Sequence, residues 1–284
     1  MFLVPALIWG STWLAITYQL GVVDPLVSVA YRFLGAGALL LLYCRLRGIS
    51  LRFGYRTHGF IALQGLCLFG FNYWVVYHVE QSLPSGLVAI IFSGILFGNV
   101  INGRLFLRTP IRRSVVAGGA LGFAGIVLVF APSITNLSLS NRTLAALGLA
   151  FLGVELASLG NIVSARNQRA GISVIQANAL GMAYGGVAML GVSLGLGKVL
   201  AFDLSVRYVA SLTYLTLLGS IAAFAAYLTL LGRIGADRAG YVTLLMPVIA
   251  LALTTLFEGY EWTAPALAGV ALVLTGNYLA LKRR

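Results

Sequence analysis

The chain has 284 residues, of which 60% are hydrophobic and only 9% carry a charge. A soluble domain carries roughly 25% charged residues, so this composition excludes a soluble protein and indicates a chain that lies mostly in lipid. The net charge of +12 does not indicate nucleic-acid binding, because the basic residues stand in short loops between apolar stretches and not on one polar surface.

Apolar stretches follow one another along the chain, each close to the ~20 residues that cross a bilayer as one helix. Helix breakers and polar clusters such as Asp24-Pro25 and Thr109-Pro110 separate them. The sequence therefore predicts an all-α polytopic membrane protein with ten transmembrane helices. The predicted spans are residues 2–20, 25–44, 58–79, 83–104, 113–132, 142–164, 173–194, 207–232, 238–257 and 263–281.

The positive charges fall on every second loop of the predicted bundle, and therefore mostly on one side of it. Fifteen of the nineteen Lys and Arg residues follow the second, fourth, sixth, eighth and tenth spans. Loops rich in Lys and Arg remain in the cytoplasm, so both termini are predicted to be cytoplasmic. Arg142, Lys198 and Arg207 lie on the other side, and Arg32 lies within the second span.

The two halves of the chain resemble each other. Each predicted unit, 1–135 and 140–284, holds five spans, and because five is odd the second unit enters the membrane from the opposite side. The basic loops agree with this inversion, since they follow the second and fourth spans of the first unit but the first, third and fifth spans of the second. Inverted repeats around a midplane site are typical of secondary transporters. The matched residues are Gly65 with Gly219, Tyr73 with Tyr227 and Gly86 with Gly240 at an offset of 154, then Gly118 with Gly269 and Gly125 with Gly276 at an offset of 151.

The first span carries two tryptophans, Trp9 and Trp13, which are four residues apart and so share one helical face. They are candidates for the wall of a substrate cavity, with ordinary packing against lipid or helices as the alternative. Ser11 and Thr12 lie between them, and we expect their hydroxyl groups to bond a neighbouring helix.

The third span carries a stripe of rings with polar edges. Tyr73 and Tyr77 share one helical face, and Trp74 and His78 share the adjacent one. Rings attract an ammonium group by cation–π interaction, and phenol or imidazole groups can bond a carboxylate. We therefore assign these four residues, with Tyr227 as the repeat mate of Tyr73, to the substrate site. The alternative, strongest for His78, is an aromatic belt at the membrane interface.

Glu155 lies near the middle of the sixth span, where an ionised carboxylate costs at least ~2.5–3.5 kcal/mol. One interpretation is a site for proton coupling or for the ammonium group of a substrate. The other is a structural hydrogen bond or an ion pair with Arg32. Asn161 is expected to bond between helices.

Small residues allow helices to approach closely, and Pro247 can bend the ninth span, either as a moving hinge or as a static kink. The glycines assigned to close packing are Gly118, Gly122, Gly125, Gly181, Gly185, Gly269 and Gly276.

Several short patterns resemble the EamA-type members of the drug/metabolite transporter superfamily, in an order that covers nearly the whole chain. They are Trp9-Gly10-Ser11-Thr12-Trp13, Arg32-Phe33-Leu34, the run from Gly118 to Phe130, and the run from Ala239-Gly240 through Pro247 to Gly269 and Gly276. The aromatic residues of the first half are most similar to the bacterial aromatic amino-acid exporter. The resemblance implies an exporter of aromatic and other neutral amino acids in the bacterial inner membrane. The family's usual Pro of the fourth helix and Gly-Glu that follows are absent here, at Leu96 and Arg108-Thr109.

Three classes of function compete: a secondary transporter, an intramembrane enzyme, and a receptor or structural protein. The motif H-E-x-x-H is absent, and Cys44 and Cys67 lack metal-site spacing. We predict a transporter that is not an enzyme, without cofactor or metal, acting by alternating access as a uniporter or proton antiporter. The expected partners are amino acids and membrane lipid but no nucleic acid, and the expected state is a monomer or homodimer. The alternatives are an exporter of other metabolites or drugs, or a non-transporting membrane protein.

Overall fold

The computed structural model describes residues 2–83, 85–129, 131, 140–258 and 263–281, which form helices and connecting segments without a β-strand. Each predicted span overlaps a helix. The helices are α1 Leu3–Thr17, α2 Pro25–Leu46, α3 Tyr55–Glu80, α4 Ser85–Ser93 and Ile95–Leu107, α5 Arg113–Val129, α6 Asn141–Arg169, α7 Val174–Gly195, α8 Val206–Ile234, α9 Ala236–Ala239 and Tyr241–Glu258, and α10 Ala264–Leu281.

Six helical segments in the described part of the chain are long and apolar enough to cross a membrane. They belong to α2, α3, α4, α6, α7 and α8, while α1, α5 and α10 are apolar but shorter. The helical fold class is therefore confirmed, and the crossing of the membrane by all ten helices remains a prediction.

The ends of α2 and α7 have the same geometry. Gly48 and Gly197 follow these helices, and both have φ +64°. This left-handed conformation suits glycine, which has no Cβ. The next amide in each case bonds back into the last turn, from Ile49 N to Cys44 O at 2.8 Å and from Lys198 N to Ser193 O at 2.9 Å. Both ends are the hydrogen-bonded stop that a glycine after a helix commonly makes.

Glycines hold two pairs of helices in close contact. In α5 and α10, Gly118 faces Gly276 and Gly125 faces Gly269, so closely that a Cβ on any of them would collide with the opposite backbone. Across α3 and α7, a Cβ on Gly65 would lie 2.9 Å from Gly181 Cα. The predicted packing role of Gly118, Gly125, Gly181, Gly269 and Gly276 is confirmed.

The helix contacts follow one scheme in both halves. Helices α2 and α7 pack on each other, as do α5 and α10, while α1 packs on α9 and α6 packs on α4. Numbering each half from one to five, these contacts are second with second, fifth with fifth, and first with fourth twice. Of the remaining two helices, α3 packs on α6 and α7, and α8 packs on α1 and α2.

Helices α3 and α8 are locally unwound to π-helical geometry, over Leu66–Phe71 and Leu215–Ala222. Such segments are rare and occur frequently at functional sites. They immediately precede Asn72 and Ala223, so they set the direction in which the following turn of each helix presents its side chains.

Candidate functional site

A cavity of about 90 Å³ lies in the interior of the bundle, and we call it the central cavity. Its wall comes from α1, α3 and α4 of the first half and from the corresponding helices α6, α8 and α9 of the second. The lining residues are Trp9, Thr12, Ile16, Leu68, Asn72, Tyr73, Val76, Phe92, Ser93, Ile95, Ala157, Asn161, Phe224, Tyr227, Thr243, Met246 and Pro247.

Four aromatic rings form one continuous side of the central cavity. The ring of Trp9 is 4.8 Å from that of Phe224 and 5.1 Å from that of Tyr227, measured between centroids. Phe224 in turn lies 6.1 Å from Tyr73. These separations are those of favourable edge-to-face pairs. The indole nitrogen of Trp9 donates to the carbonyl of Gly219 at 3.0 Å, within the π-helical segment of α8, and this bond fixes the ring orientation.

A polar layer lies beside the aromatic side. The Asn161 amide donates to the Tyr227 hydroxyl at 3.0 Å and to Asn99 Oδ1 at 3.3 Å. The Asn99 amide donates to the carbonyl of Ala236 at 3.0 Å. Asn161 therefore bonds between helices, as predicted, and the layer connects α4 of the first half with α6, α8 and α9 of the second.

A second cavity, of about 460 Å³, lies on the other side of this polar layer. Asn99 belongs to its wall, whereas Asn161 and Tyr227 belong to the wall of the central cavity. We call it the basic vestibule because Arg112, Arg169 and Arg233 line it. The Asn99–Asn161–Tyr227 layer thus separates the central cavity from a wider basic space.

The opposite end of the bundle is closed by hydrogen bonds between α8 and the first two helices. Gln19 donates to the carbonyl of Tyr208 at 3.0 Å and bonds Ser211. Ser28 and Tyr208 join their hydroxyl groups at 3.0 Å. Ser11 bonds the hydroxyl of Tyr214 at 2.6 Å, which confirms the predicted helix-to-helix role of Ser11.

Of the residues predicted for the site, Trp9, Tyr73 and Tyr227 line the central cavity. Trp74 and His78 do not; their rings pack on each other at 5.1 Å on another face of α3. Tyr77 shares the face of Tyr73, but it lies one turn further along and is completely buried. Of the four ring residues, only Tyr73 reaches the cavity, where Leu68, Asn72 and Val76 of the same helix accompany it. The side chain of Trp13 lies outside the described residues.

Glu155 is exposed on the outside of α6 and is absent from the wall of the central cavity. Its Oε1 accepts a hydrogen bond from the Asn102 amide at 2.8 Å. Arg32 lies elsewhere, completely buried, with its Nε donating to Ser220 Oγ at 2.8 Å. The ion pair between Glu155 and Arg32, one of the sequence-based alternatives, is therefore wrong, whereas the bond to Asn102 is the kind of hydrogen bond that the other structural interpretation expected.

Sequence reasoning missed several members of the wall. Asn72, on the same helix as Tyr73, donates to the carbonyl of Gly153 at 2.7 Å and ties α3 to α6. Phe224 completes the aromatic side, and the repeat register gives it no aromatic mate, since Gly70 stands 154 residues earlier. Asn72 could have been predicted, because an amide within an apolar span indicates a functional or structural contact. Nothing in the sequence distinguished Phe224 from other apolar residues of its span.

The model of the EamA-like transporter family matches residues 1–131 and 138–282. The chain belongs to the EamA-like transporter family. It is accordingly a membrane transporter and not an enzyme.

Relatives of this EamA-like transporter align over nearly its whole length. The uncharacterized inner membrane transporter YedA of Escherichia coli strain K12 is 31% identical, over 96% of this chain and 89% of YedA. Protein PagO of Salmonella typhimurium is 24% identical, over 100% of this chain and 92% of PagO. An uncharacterized transporter of Archaeoglobus fulgidus is 25% identical, over 97% of this chain and 95% of its own. A protein known from a crystal structure shares the fold with a TM-score of 0.80 at 18% identity, covering 99% of this chain and 94% of its own.

Proposed function

We propose that this EamA-like transporter is a ten-helix secondary transporter of the bacterial inner membrane that exports aromatic and other neutral amino acids by alternating access. The observation that carries the proposal is the central cavity, with aromatic rings from both halves and amide groups beside them. Rings offer dispersion contacts to an apolar side chain and attraction to an ammonium group. Amide and hydroxyl groups offer the hydrogen bonds that orient the backbone end of an amino acid.

The proposed architecture is two inverted five-helix repeats, residues 1–135 and 140–284. Three observations support it. The helix contacts of one half are repeated by those of the other. The offset of 151 residues converts the contact of Gly118 with Gly276 into the contact of Gly269 with Gly125. The stops of α2 and α7 at Gly48 and Gly197 have one geometry. An inverted repeat provides two half-gates, one on each side of a shared site.

The proposed orientation places the basic vestibule at the cytoplasmic face. Arg112, Arg169 and Arg233 line it, and Arg-rich loops remain in the cytoplasm. The side closed by the Gln19, Ser28 and Ser11 hydrogen bonds then faces outwards. In this orientation the described state is wide on the cytoplasmic side and closed on the outer side, and both termini are cytoplasmic. The printed name of YedA, an inner membrane transporter, supports the assignment to that membrane.

The small size of the central cavity indicates that the site must widen before it binds a solute. Pockets that hold drug-sized ligands measure roughly 300–1,000 Å³, whereas the central cavity measures about 90 Å³. A solute enters only when the helices around the cavity separate, and the Asn99–Asn161–Tyr227 layer is the contact that must open towards the vestibule.

The test uses purified full-length protein in liposomes and radiolabelled L-phenylalanine. Replacing both Tyr73 and Tyr227 with Ala is expected to abolish uptake while the protein remains folded, as judged by size-exclusion chromatography. The matched control replaces two exposed tyrosines, Tyr43 and Tyr55, and is expected to retain uptake. If the double variant takes up L-phenylalanine at the wild-type rate, the central cavity is not the substrate site. Uptake of other solutes but no amino acid by the wild-type protein would favour the exporter of other metabolites.

A further inference from the structure

Arg32 is completely buried in the bundle, yet most of its hydrogen-bonding capacity is unused. Only Nε is bonded, to Ser220. Nη1 and Nη2 lie near the phenol groups of Tyr73 and Tyr77, but among the described residues neither makes a hydrogen bond of normal distance and angle. A charged side chain at this depth is costly, and leaving a buried polar group unbonded costs its full desolvation energy. The two terminal nitrogens of Arg32, the fork of its guanidinium group, are therefore available to bond a ligand.

The guanidinium lies one side chain away from the central cavity. Its central carbon is 4.4 Å from the centre of the Tyr73 ring and 5.2 Å from that of Phe33. Tyr73 lines the central cavity on its other side. Thr12, which also lines the cavity, borders the same space at Gly219, where an added Cβ would lie 3.2 Å from both Arg32 Nη2 and Thr12 Cγ2. Rotation of the Tyr73 ring would expose the guanidinium group to the central cavity.

The fork belongs to the outer part of the site. On α2, Arg32 is close to the end that begins at Pro25, and on α3 its neighbours Tyr73 and Tyr77 are close to the end at Glu80. The polar Asn99–Asn161–Tyr227 layer lies on the vestibule side. A solute in the cavity is thus placed between amide groups towards the vestibule and a cation towards the closed end.

We propose that Arg32, positioned by Ser220 and covered by Tyr73, is the subsite for the carboxylate group of the transported solute. The proposal rests on the proposed function, since it concerns the same cavity, and it narrows the substrate class to carboxylates with an apolar side chain. Arginine presents parallel N–H donors that match the two oxygens of a carboxylate, and such charge-assisted bonds are about twice as strong as neutral ones. The central-cavity wall contains no charged side chain among the described residues, so the guanidinium is the group that distinguishes an acid from its amide.

The first measurement compares ligands on the wild-type protein by isothermal titration calorimetry in detergent. The probes are L-phenylalanine, 3-phenylpropionate, which keeps the carboxylate but lacks the ammonium group, and 3-phenylpropanamide, which is neutral and nearly the same shape. We expect the propionate to bind about tenfold or more tightly than the amide, a difference of roughly 1.4 kcal/mol.

The second measurement repeats the titrations with Arg32→Met, which removes the charge but keeps most of the length, and with Arg32→Lys, which keeps the charge but loses the fork. Arg207→Met is the matched control, because Arg207 is exposed and lies 5.3 Å from the centre of the Tyr18 ring at the surface. We expect Arg32→Met to bind the acid and the amide equally, Arg32→Lys to show an intermediate preference, and Arg207→Met to resemble the wild-type protein.

The outcomes separate this proposal from the proposed function. If the propionate binds in an Arg32-dependent manner but L-phenylalanine does not, the carboxylate subsite stands and amino-acid export fails. If L-phenylalanine is transported but the wild-type protein binds acid and amide equally, or Arg32→Met retains the preference, Arg32 is a structural cation and the subsite is overturned. Failure of both carboxylates to bind overturns it as well. If Arg32→Met does not fold, Arg32→Lys decides: a reduced acid-to-amide ratio supports the subsite, and an unchanged ratio overturns it.

Discussion

The side-chain amide of Asn161 donates a hydrogen bond to the hydroxyl group of Tyr227 at 3.0 Å. The same amide bonds Asn99, which lines the basic vestibule, whereas Tyr227 lines the central cavity. This small network therefore lies between the two spaces and joins the halves of the chain. A solute that passes from one space to the other must break it or move around it.

The Asn161–Tyr227 bond is expected to stabilise the protein modestly. Side-chain hydrogen bonds between membrane helices average about 0.6 kcal/mol and reach about 1.7 kcal/mol. A double-mutant cycle with Asn161→Ala and Tyr227→Phe, measured by reversible unfolding in mixed micelles, should give a coupling energy in that range. Asn178→Ala is the control, since Asn178 is also buried but its Oδ1 bonds none of the residues that the structure describes; its cycle with Tyr227→Phe should be additive. If both cycles are additive, the hydrogen bond between Asn161 and Tyr227 does not stabilise the protein.

Gly65→Ala is expected to destabilise the fold, because the added methyl group would lie 2.9 Å from Gly181 Cα and force α3 away from α7. Overpacking of this kind costs roughly 1–3 kcal/mol. The measurement is the thermal midpoint of the purified protein in detergent, together with the yield of monodisperse material.

Gly59→Ala, on the same helix α3, is the matched control for Gly65→Ala. A Cβ on Gly59 meets nothing within 4 Å, and alanine is the better helix former by about 1 kcal/mol. We expect this variant to be as stable as the wild-type protein or slightly more stable. Equal midpoints for the two variants would show that the close approach of α3 and α7 is wrong.

Glu155→Gln is expected to leave transport and its pH dependence unchanged. Glu155 is exposed on the outside of α6, and its Oε1 serves as an acceptor for Asn102. Glutamine retains an acceptor oxygen at that place, so Asn102 keeps its partner. Uptake of labelled solute into liposomes across a series of pH values is the measurement. Loss of the pH dependence in the variant would assign proton coupling to Glu155 in spite of its place on the outer surface.

The sequence was sufficient where a residue type alone decides the structure. Apolar stretches and breakers predicted helical segments that the structure contains. Glycines such as Gly118 and Gly276 predicted close packing of their helices, which the structure shows between α5 and α10. Both follow from local chemistry: apolar residues belong in lipid, and glycine alone permits contact between backbones.

The sequence was insufficient where rotation of a helix decides the structure. The stripe Tyr73, Trp74, Tyr77 and His78 was predicted correctly as two adjacent faces, but only packing determines that Tyr73 faces the cavity while Trp74 and His78 face each other. The alternative that paired Arg32 with Glu155 failed for the same reason, because Ser220 comes near Arg32 only when α2 and α8 are packed together. The π-helical segments likewise depend on tertiary packing, and no residue pattern announced them.

The central claim is that one five-helix module occurs twice in opposite orientations around the central cavity. Its most direct test is the sidedness of two equivalent loops, after α2 and after α7. Ser50 and Val199 lie at matching places, two residues beyond Gly48 and Gly197, and both are exposed. Each is replaced by cysteine in a background in which Cys44 and Cys67 are alanine, and intact cells are treated with a membrane-impermeant maleimide. We expect Val199→Cys to react in intact cells and Ser50→Cys to react only after permeabilisation. Labelling of both from the same side would contradict the inverted repeat.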